Sequence, residues 1–238
     1  MNVRNYGMRK ILLITLFLAS SILVTKAQDA TCVDLGLSVK WANCNLGAKS
    51  PEQYGDYYAW GEIKTKSKYD WTTYKWCEGT FKTLTKYCFH NVRHFGIVDN
   101  KIVLDPEDDV AYIKLGKGWR MPTKEEFDEL IINCTREFYM INGINGFKFT
   151  SKINGNSIFL PAAGNYYCEY LWNAGDQGSY LSSTLDTLAS HSAKGMCFIL
   201  HDQITTYSDK GLMNMENYLI DGNPFRCTGN SVRPVMDK

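Results

Sequence analysis

The residue types best suited to catalysis or metal binding are spaced in this sequence in ways that predict neither function. None of the eight cysteines stands in a C-x-x-C spacing, which argues against a zinc site or a redox-active pair. His90 and His94 are four residues apart, but the residues between them lack the glutamate of an H-E-x-x-H pattern. Neither a G-x-S-x-G elbow nor a phosphate-binding loop occurs. The sequence therefore predicts a protein that is not an enzyme and has no catalytic residues.

The cysteines allow disulfides if the chain is exported, but their pairing stays open. Eight cysteines can be joined in about 105 ways, and spacing does not select among them. Cys134 and Cys197 lie within apolar patterns, where a buried free thiol is the favoured interpretation.

Two adjacent carboxylates, Asp108 and Asp109, are candidates to bind calcium, because hard cations prefer clustered carboxylates. The favoured interpretation is that they lie in the first turn of a helix, where negative charge is stabilised by the helix dipole. We therefore expect no cofactor and no metal ligand set. Arg120 and Arg233 could contact a ligand, but pairing with buried acids or carbonyl groups is favoured for both.

A stretch from Gly164 to Ser183 concentrates aromatic and amide side chains among turn-forming residues. Tyrosine and tryptophan rings offer flat faces for stacking together with a polar group, a combination that suits both sugars and protein surfaces. The alternative for each ring is that it fills the core. The predicted ligand-binding residues are Tyr166, Tyr167, Tyr170, Trp172, Asn173, Asp176 and Tyr180, with Gln177 as a further hydrogen-bonding group.

The N-terminus predicts export. Residues 1–10 are basic, residues 11–24 are largely apolar, and Thr25-Lys26-Ala27 forms a small-residue exit, which together are typical of a secretory signal peptide over residues 1–27. The apolar stretch is shorter than the roughly 20 residues of a membrane span. An uncleaved anchor and lipidation at Cys32 are the alternatives. We expect residues 28–238 to form one domain without a membrane span, at the cell surface, in the periplasm or secreted.

Composition excludes several classes of protein. Hydrophobic residues make up 45% of the chain and aromatic residues 13%, which rules out a disordered chain and a charged coiled coil. The predicted signal peptide carries four basic residues and no acidic one, so the rest of the chain is slightly acidic despite the overall charge of +1. Such a domain offers no electrostatic basis for nucleic-acid binding.

Local patterns predict two helices. Thr123 and Glu126 form a capping-box pattern, and an apolar face follows at helical spacing through Phe127, Leu130, Ile131 and Cys134. An earlier helix is predicted to start at Asp105 as cap, with Pro106 at its first position and to end at Gly116.

The second half of the chain predicts short strands between turns. Apolar or alternating runs lie at 147–150, 157–160, 196–200 and 231–235, separated by dipeptides such as Asn142-Gly143 and Asn154-Gly155. Asn154-Gly155 between two such runs predicts a hairpin. The fold class is therefore α+β.

An ordered series of motifs carries a family resemblance. The series runs over nearly all of the predicted mature chain: 33–48, 54–62, 107–111, 118–123, 158–164 and 231–235. It resembles the Fibrobacter succinogenes major paralogous domain family of exported bacterial proteins. That family is similar in turn to the C-type-lectin-like fold of formylglycine-generating enzymes, through the stretch that begins Arg120-Met121-Pro122-Thr123.

The resemblance implies a C-type-lectin-like domain with two short helices packed on a small, mostly antiparallel twisted sheet with long loops. Formylglycine-generating enzymes use a closely spaced cysteine pair near the C-terminus, whereas Cys197 and Cys227 here are 30 positions apart. The resemblance thus carries the scaffold without its catalytic residues. We expect an exported binding module whose partner is a glycan or a surface protein. The alternatives are a structural or adhesin subunit of a cell-surface assembly and an unrecognised enzyme on this scaffold.

Overall fold

The protein is described by a computed structural model over residues 31–89, 95–200 and 219–238. Within these ranges the fold is α+β, with two α-helices, α1 (Val110–Leu115) and α2 (Lys124–Asn133). The strands are β1 (Cys32–Val33), β2 (Val39–Ala42), β3 (Trp119–Arg120), β4 (Cys134–Ile141), β5 (Ile144–Ser151), β6 (Ser157–Pro161), β7 (Asn165–Tyr167), β8 (Tyr170–Trp172), β9 (Gln177–Leu185), β10 (Ala193–Ile199), β11 (Leu219–Gly222) and β12 (Val235–Asp237).

Some predicted features fall outside these ranges. They are the signal peptide over residues 1–27 and the histidines His90, His94 and His201. Among the helices of the described residues, none is long and apolar enough to cross a membrane.

The strands form several small antiparallel sheets, whereas the sequence predicted one. The strand orders are β1-β2-β12-β3, β4-β5-β6 and β9-β10-β11, and β7 and β8 form a separate hairpin. The expectation of a single sheet is wrong, because the strands divide into these separately hydrogen-bonded groups. Asn142 and Gly143 reverse the chain between β4 and β5 with positive φ angles of 51° and 81°.

Helix α2 begins as predicted. The Thr123 side chain accepts a hydrogen bond from the Glu126 amide, and the Glu126 carboxylate accepts one from the Thr123 amide, so the capping box is complete. Phe127 and Leu130 are buried, while Cys134 already belongs to β4.

Helix α1 begins later than predicted. Residues 106–108 form a separate 3₁₀ turn, and Asp109 caps α1 instead of Asp105. The Asp109 carboxylate accepts hydrogen bonds from the amides of Ala111 and Tyr112. These two amides lie in the first turn of α1, where they have no partner within the helix.

Three of the four predicted runs lie in strands: 147–150 in β5, 157–160 in β6, and 196–199 in β10. The hairpin at Asn154-Gly155 is confirmed by the antiparallel pairing of β5 with β6. The run 231–235 is different, because only Val235 belongs to a strand. Carbonyl groups of this segment accept hydrogen bonds from the amides of Leu181, Leu46 and Ala42. The segment therefore links β9, a loop and β2, but it does not form a continuous ladder with any of them.

Two arginines with fully buried side chains stabilise the interior through neutral groups. Arg233 donates to Asn45 Oδ1 (3.0 Å), to the Ala42 carbonyl (3.1 Å) and to the Phe159 carbonyl (2.8 Å). The structural interpretation of Arg233 is therefore confirmed. Arg226 donates to the Tyr74 hydroxyl and to three carbonyl groups, and its guanidinium group lies 4.9 Å from the centre of the Trp60 ring.

No disulfide joins any of the eight cysteines, all of which lie in the described ranges. Cys134 is buried, as expected. Cys197 is only half-buried, and its sulfur accepts a hydrogen bond from Gln177 Nε2 at 3.1 Å.

Candidate functional site

The stretch that the sequence marked as a turn-rich loop contains a two-stranded hairpin. β7 and β8 pair in the register Asn165 with Trp172 and Tyr167 with Tyr170, and Cys168 and Glu169 form the turn. Residues directly opposite in an antiparallel pair share one face, as do alternate residues of one strand. Tyr167, Tyr170 and Trp172 therefore lie on one face of this hairpin, which we call the hairpin face.

The hairpin is held to the body of the domain at its tip and along β7. At the tip, Cys168 and Tyr69 exchange two backbone hydrogen bonds, of 3.0 and 2.8 Å. Along β7, Tyr166 and Gly229 exchange another two, of 2.7 and 2.9 Å. Backbone bonds at two places fix the position of the strands, so the hairpin face has a defined geometry.

The base of the hairpin depends on Gly164. Its φ is +64°, and a Cβ atom there would overlap the carbonyl oxygen of Trp172 and lie 2.7 Å from the amide nitrogen of Ala174. The Gly164 amide donates to the Gln177 carbonyl at 2.6 Å. The absence of a side chain at Gly164 lets its backbone lie against the backbone at the end of β8 and the start of β9.

The three rings of the hairpin face are exposed to solvent. Tyr167 is 47% exposed, Tyr170 67% and Trp172 52%. Within the described ranges, none of the three forms a ring–ring contact or a side-chain hydrogen bond, whereas most other aromatic side chains pack against one another. Exposed rings on a fixed backbone retain their stacking faces and polar groups for an external partner.

Tyr166 points the opposite way. Its ring packs edge-on against Tyr57 at 4.9 Å and lies 5.6 Å from Tyr69, and both of these residues precede the hairpin by about a hundred positions. Alternation along β7 places Tyr166 on the face turned to the domain. Tyr166 is half-buried and anchors the hairpin in this arrangement, and its contact with a ligand stays a prediction.

Tyr180 is a correction to the predicted ligand-binding set. Its side chain is fully buried, its ring stacks on Phe198 at 6.1 Å, and its hydroxyl donates to the Pro161 carbonyl at 2.7 Å. Burial raises the pKa of Tyr180 to about 12. The physical reason is that β9 is covered on both faces, so no side chain at this position reaches the surface.

Polar groups border the hairpin face beyond Trp172. Asn173, at a φ of +56°, follows β8, and its side-chain amide donates to Gln177 Oε1 at 3.0 Å. Asp176 lies in the same turn with an exposed side chain. Both predicted polar residues are thus close to the three rings along the chain, where they can bond the hydroxyl groups of a ligand.

Two residues near this surface were missed by sequence reasoning. Asn165 lies opposite Trp172 on the hairpin face, a position that only the register of the hairpin defines. Tyr54 lies near Asp176: burial raises the pKa of the Tyr54 hydroxyl first, and the charge of Asp176 raises it further. Tyr54 is 122 positions from Asp176 in the sequence, so no local signal could have paired them.

The carboxylates considered for calcium have other partners. Asp108 accepts hydrogen bonds from Lys86 Nζ (2.7 Å), the Tyr87 hydroxyl (2.8 Å) and Lys75 Nζ (3.1 Å). Burial alone would raise the pKa of Asp108, but these hydrogen bonds outweigh burial and lower it. Burial raises the pKa of Asp109, the cap of α1. Two lysine ammonium groups beside Asp108 oppose the approach of a cation.

Within the described ranges, no group of three or more histidine, cysteine, aspartate or glutamate side chains is placed to hold a metal ion. Arg120, the other arginine considered as a ligand contact, pairs with Glu126 of α2 and with Asp237 at 2.8 Å. It thereby connects the start of α2 to β12.

Thiol chemistry is disfavoured by burial at several cysteines. Burial raises the pKa of Cys227 to about 12 and that of Cys134 to about 11. Burial also raises the pKa of Cys197. Because the thiolate is the nucleophile, a raised pKa lowers the fraction of each thiol that is reactive at neutral pH.

A pocket of about 240 Å³ lies away from the hairpin, between β1 and the outer face of the β4-β5-β6 sheet. Tyr139, Lys148 and Phe159 are among its lining residues. This volume is below the roughly 300 Å³ at which small-molecule sites begin. The hairpin face, an open surface, is the stronger candidate site.

No family model, curated protein or solved structure matches this chain.

Proposed function

We propose that this protein is an exported, non-catalytic binding module that recognises glycan through the hairpin face. The observation that carries the proposal is the set of three exposed rings, Tyr167, Tyr170 and Trp172, on one face of a hairpin fixed by backbone hydrogen bonds. Flat aromatic faces suit the apolar faces of sugar rings, and the neighbouring Asn173 and Asp176 supply groups for sugar hydroxyls.

We propose further that the domain belongs to the Fibrobacter succinogenes major paralogous kind, with a C-type-lectin-like fold. The motif series supports this assignment, and the α+β architecture with antiparallel sheets and two helices is consistent with it. Export follows from the signal-peptide pattern of residues 1–27. Burial raises the pKa values of Cys197 and Cys227, the cysteines nearest to the C-terminus, which disfavours thiolate catalysis at these two positions.

A glycan array tests the proposal with the purified protein and two alanine variants. Trp172→Ala removes the largest ring of the hairpin face. Tyr112→Ala is the matched control, because Tyr112 is a 40% exposed aromatic residue of α1, outside the hairpin. Truncating a central aromatic anchor costs about 2 kcal/mol, which corresponds to about 30-fold weaker binding.

The expected result is binding by the parent protein and by Tyr112→Ala, with the loss confined to Trp172→Ala. Glycan binding that Trp172→Ala leaves unchanged would refute the role of the hairpin face. A parallel array of surface proteins covers the other partner class. Binding there alone, weakened by Trp172→Ala, would keep the site and replace glycan by protein.

A second candidate function is a structural or adhesin subunit of a cell-surface assembly. Large apolar side chains exposed along β4, including Phe138 and Met140, favour it, because such residues are uncommon on surfaces that stay in water. Isolation of the native protein in large complexes, with no saturable glycan binding by the isolated chain, would favour this function over the first.

A further inference from the structure

Strand β4 is an edge strand whose outward backbone groups can be identified from the turn beside it. In the sheet order β4-β5-β6, β4 has a single neighbour. The two-residue turn Asn142-Gly143 has positive φ at both positions, the type I′ form, so the flanking pair Ile141 and Ile144 is a hydrogen-bonded pair. Hydrogen-bonded pairs recur at every second residue of an antiparallel ladder.

It follows that alternate residues of β4 direct their amide and carbonyl groups away from β5. These outward residues are Arg136, Phe138 and Met140. In the part of the chain that the structure describes, no segment other than β5 pairs with them. Three outward residues in a row form a template for another strand.

Three consecutive side chains of this strand are apolar or aromatic as well as exposed, and they follow the charged residues Arg136 and Glu137. Phe138 is 50% exposed, Tyr139 44% and Met140 55%. Natural edge strands are usually shortened, bulged, charged or covered, because an exposed apolar edge pairs with other chains. β4 has eight residues, and its pairing with β5 runs without a register shift.

We propose that two copies of this chain pair through β4, antiparallel, about a two-fold axis at Phe138. A two-fold axis perpendicular to the sheet places the corresponding side chains of the two copies on the same face of the joined sheet. When the axis passes through a residue, each residue lies opposite one whose backbone groups point the same way relative to its own β5, either away from it or toward it. An axis at Phe138 places Phe138 opposite its counterpart and Arg136 opposite Met140. All three outward residues of each copy then bond across the interface.

Charge and backbone bonding together select this register, because an axis at Tyr139 would place Arg136 opposite Asn142 of the turn, beyond the strand, and leave its outward groups unbonded. An axis at Arg136 would oppose two arginines, and an axis at Glu137 would oppose two glutamates, both unfavourable. An axis at Phe138 puts Glu137 opposite Tyr139. Lys148 already lies 3.1 Å from the Glu137 carboxylate and 5.3 Å from the centre of the Tyr139 ring, so a cation accompanies both groups.

Aromatic side chains also meet on the face of the sheet opposite to Glu137 and Tyr139. Phe138 lies opposite Phe147 of β5 within one copy, so the axis would bring two such pairs together. Because both copies use the same edge, the contact closes at two copies and joins two three-stranded sheets into one. The dimer does not depend on glycan binding, because its interface consists of β4 residues and the glycan surface of hairpin residues.

Sedimentation velocity over a concentration series of the purified protein tests the dimer. Phe138→Lys would place two lysines opposite each other at the axis and remove the aromatic pair, so we expect a dimer dissociation constant raised at least about tenfold. Phe138→Glu has the same expected effect with the opposite charge. Phe138→Tyr keeps the ring and is the control, with dimerisation retained. Circular dichroism checks that each variant is folded.

The decisive measurement is the equimolar mixture of Phe138→Lys with Phe138→Glu. If position 138 faces itself across the axis, each variant alone dimerises at least about tenfold more weakly than the parent protein, and the mixture forms a heterodimer at concentrations where neither variant alone dimerises. A monomeric parent protein at every concentration would overturn the proposal. So would a dimer that the charged variants leave intact, a mixture that stays monomeric, or parent assemblies that grow beyond two copies.

Discussion

Gly164→Ala gives the sharpest test of how the fold presents the hairpin face. The added Cβ atom would overlap the Trp172 carbonyl oxygen and meet the amide nitrogen of Ala174 at 2.7 Å. These are backbone atoms, which cannot move aside by a change of rotamer. The base of the hairpin would have to open, and the pairing of Asn165 with Trp172 would loosen.

The magnitude follows from two separate effects. An alanine in the left-handed region costs about 1–2 kcal/mol because its Cβ crowds its own backbone. The overlap with a neighbouring segment adds about 1–3 kcal/mol, the usual range for overpacking. Gly175→Ala is the matched control: Gly175 has a φ of +92°, and a Cβ there meets nothing within 4 Å. It should show the first effect alone.

Urea unfolding of both variants measures the free energies of unfolding. Hydrogen exchange of the Tyr166 and Cys168 amides, which bond to Gly229 and Tyr69, reports on the hairpin itself. We expect Gly164→Ala to lose more stability than Gly175→Ala, to lose protection at these two amides, and to bind glycan more weakly. Equal losses in the two variants, with protection unchanged, would refute the reasoning that close backbone approach at Gly164 holds the hairpin.

Two further predictions concern buried charge. Arg233→Met should destabilise the protein by about 3 kcal/mol in urea unfolding, because three buried acceptors lose their donor; a change below about 1 kcal/mol would contradict this. Because the pKa of Asp108 in the folded protein is below its ordinary value of 3.8, its contribution to stability is present at neutral pH and is lost as the pH falls below about 4. Asp108→Asn should therefore lower stability at pH 7 by about 2 kcal/mol and reduce the loss on acidification, and an unchanged acid profile would count against the ion-pair cluster.

Features set by residues close together in the sequence were predictable. The Thr123–Glu126 capping box involves positions three apart, and the hairpin at Asn154-Gly155 depends on a dipeptide with a strong turn preference. Both were identified because their energetics are local. The hairpin of β7 and β8 was not, because its turn uses Cys168 at a φ of +54° and carries no such dipeptide.

Features set by distant contacts were not predictable. Asp109 caps α1 in place of Asp105 because its second carboxylate oxygen is also fixed by the Met121 amide, twelve positions away. The strand expected at 231–235 is replaced by a segment whose carbonyl groups bond to three separate parts of the chain. Local propensity carries no information about partners this far apart in the sequence.

The sequence by itself determined that aromatic and amide side chains concentrate between Gly164 and Ser183, and that the chain forms an α+β domain. Only the tertiary structure decided which rings face water. Tyr166 turns toward the domain because its ring packs against those of Tyr57 and Tyr69. Tyr180 is buried because β9 is covered on both faces. Tyr167, Tyr170 and Trp172 stay exposed because no other described part of the chain packs over their face of the hairpin. Exposure is a property of the whole fold, since a ring is buried by whatever the rest of the chain brings against it.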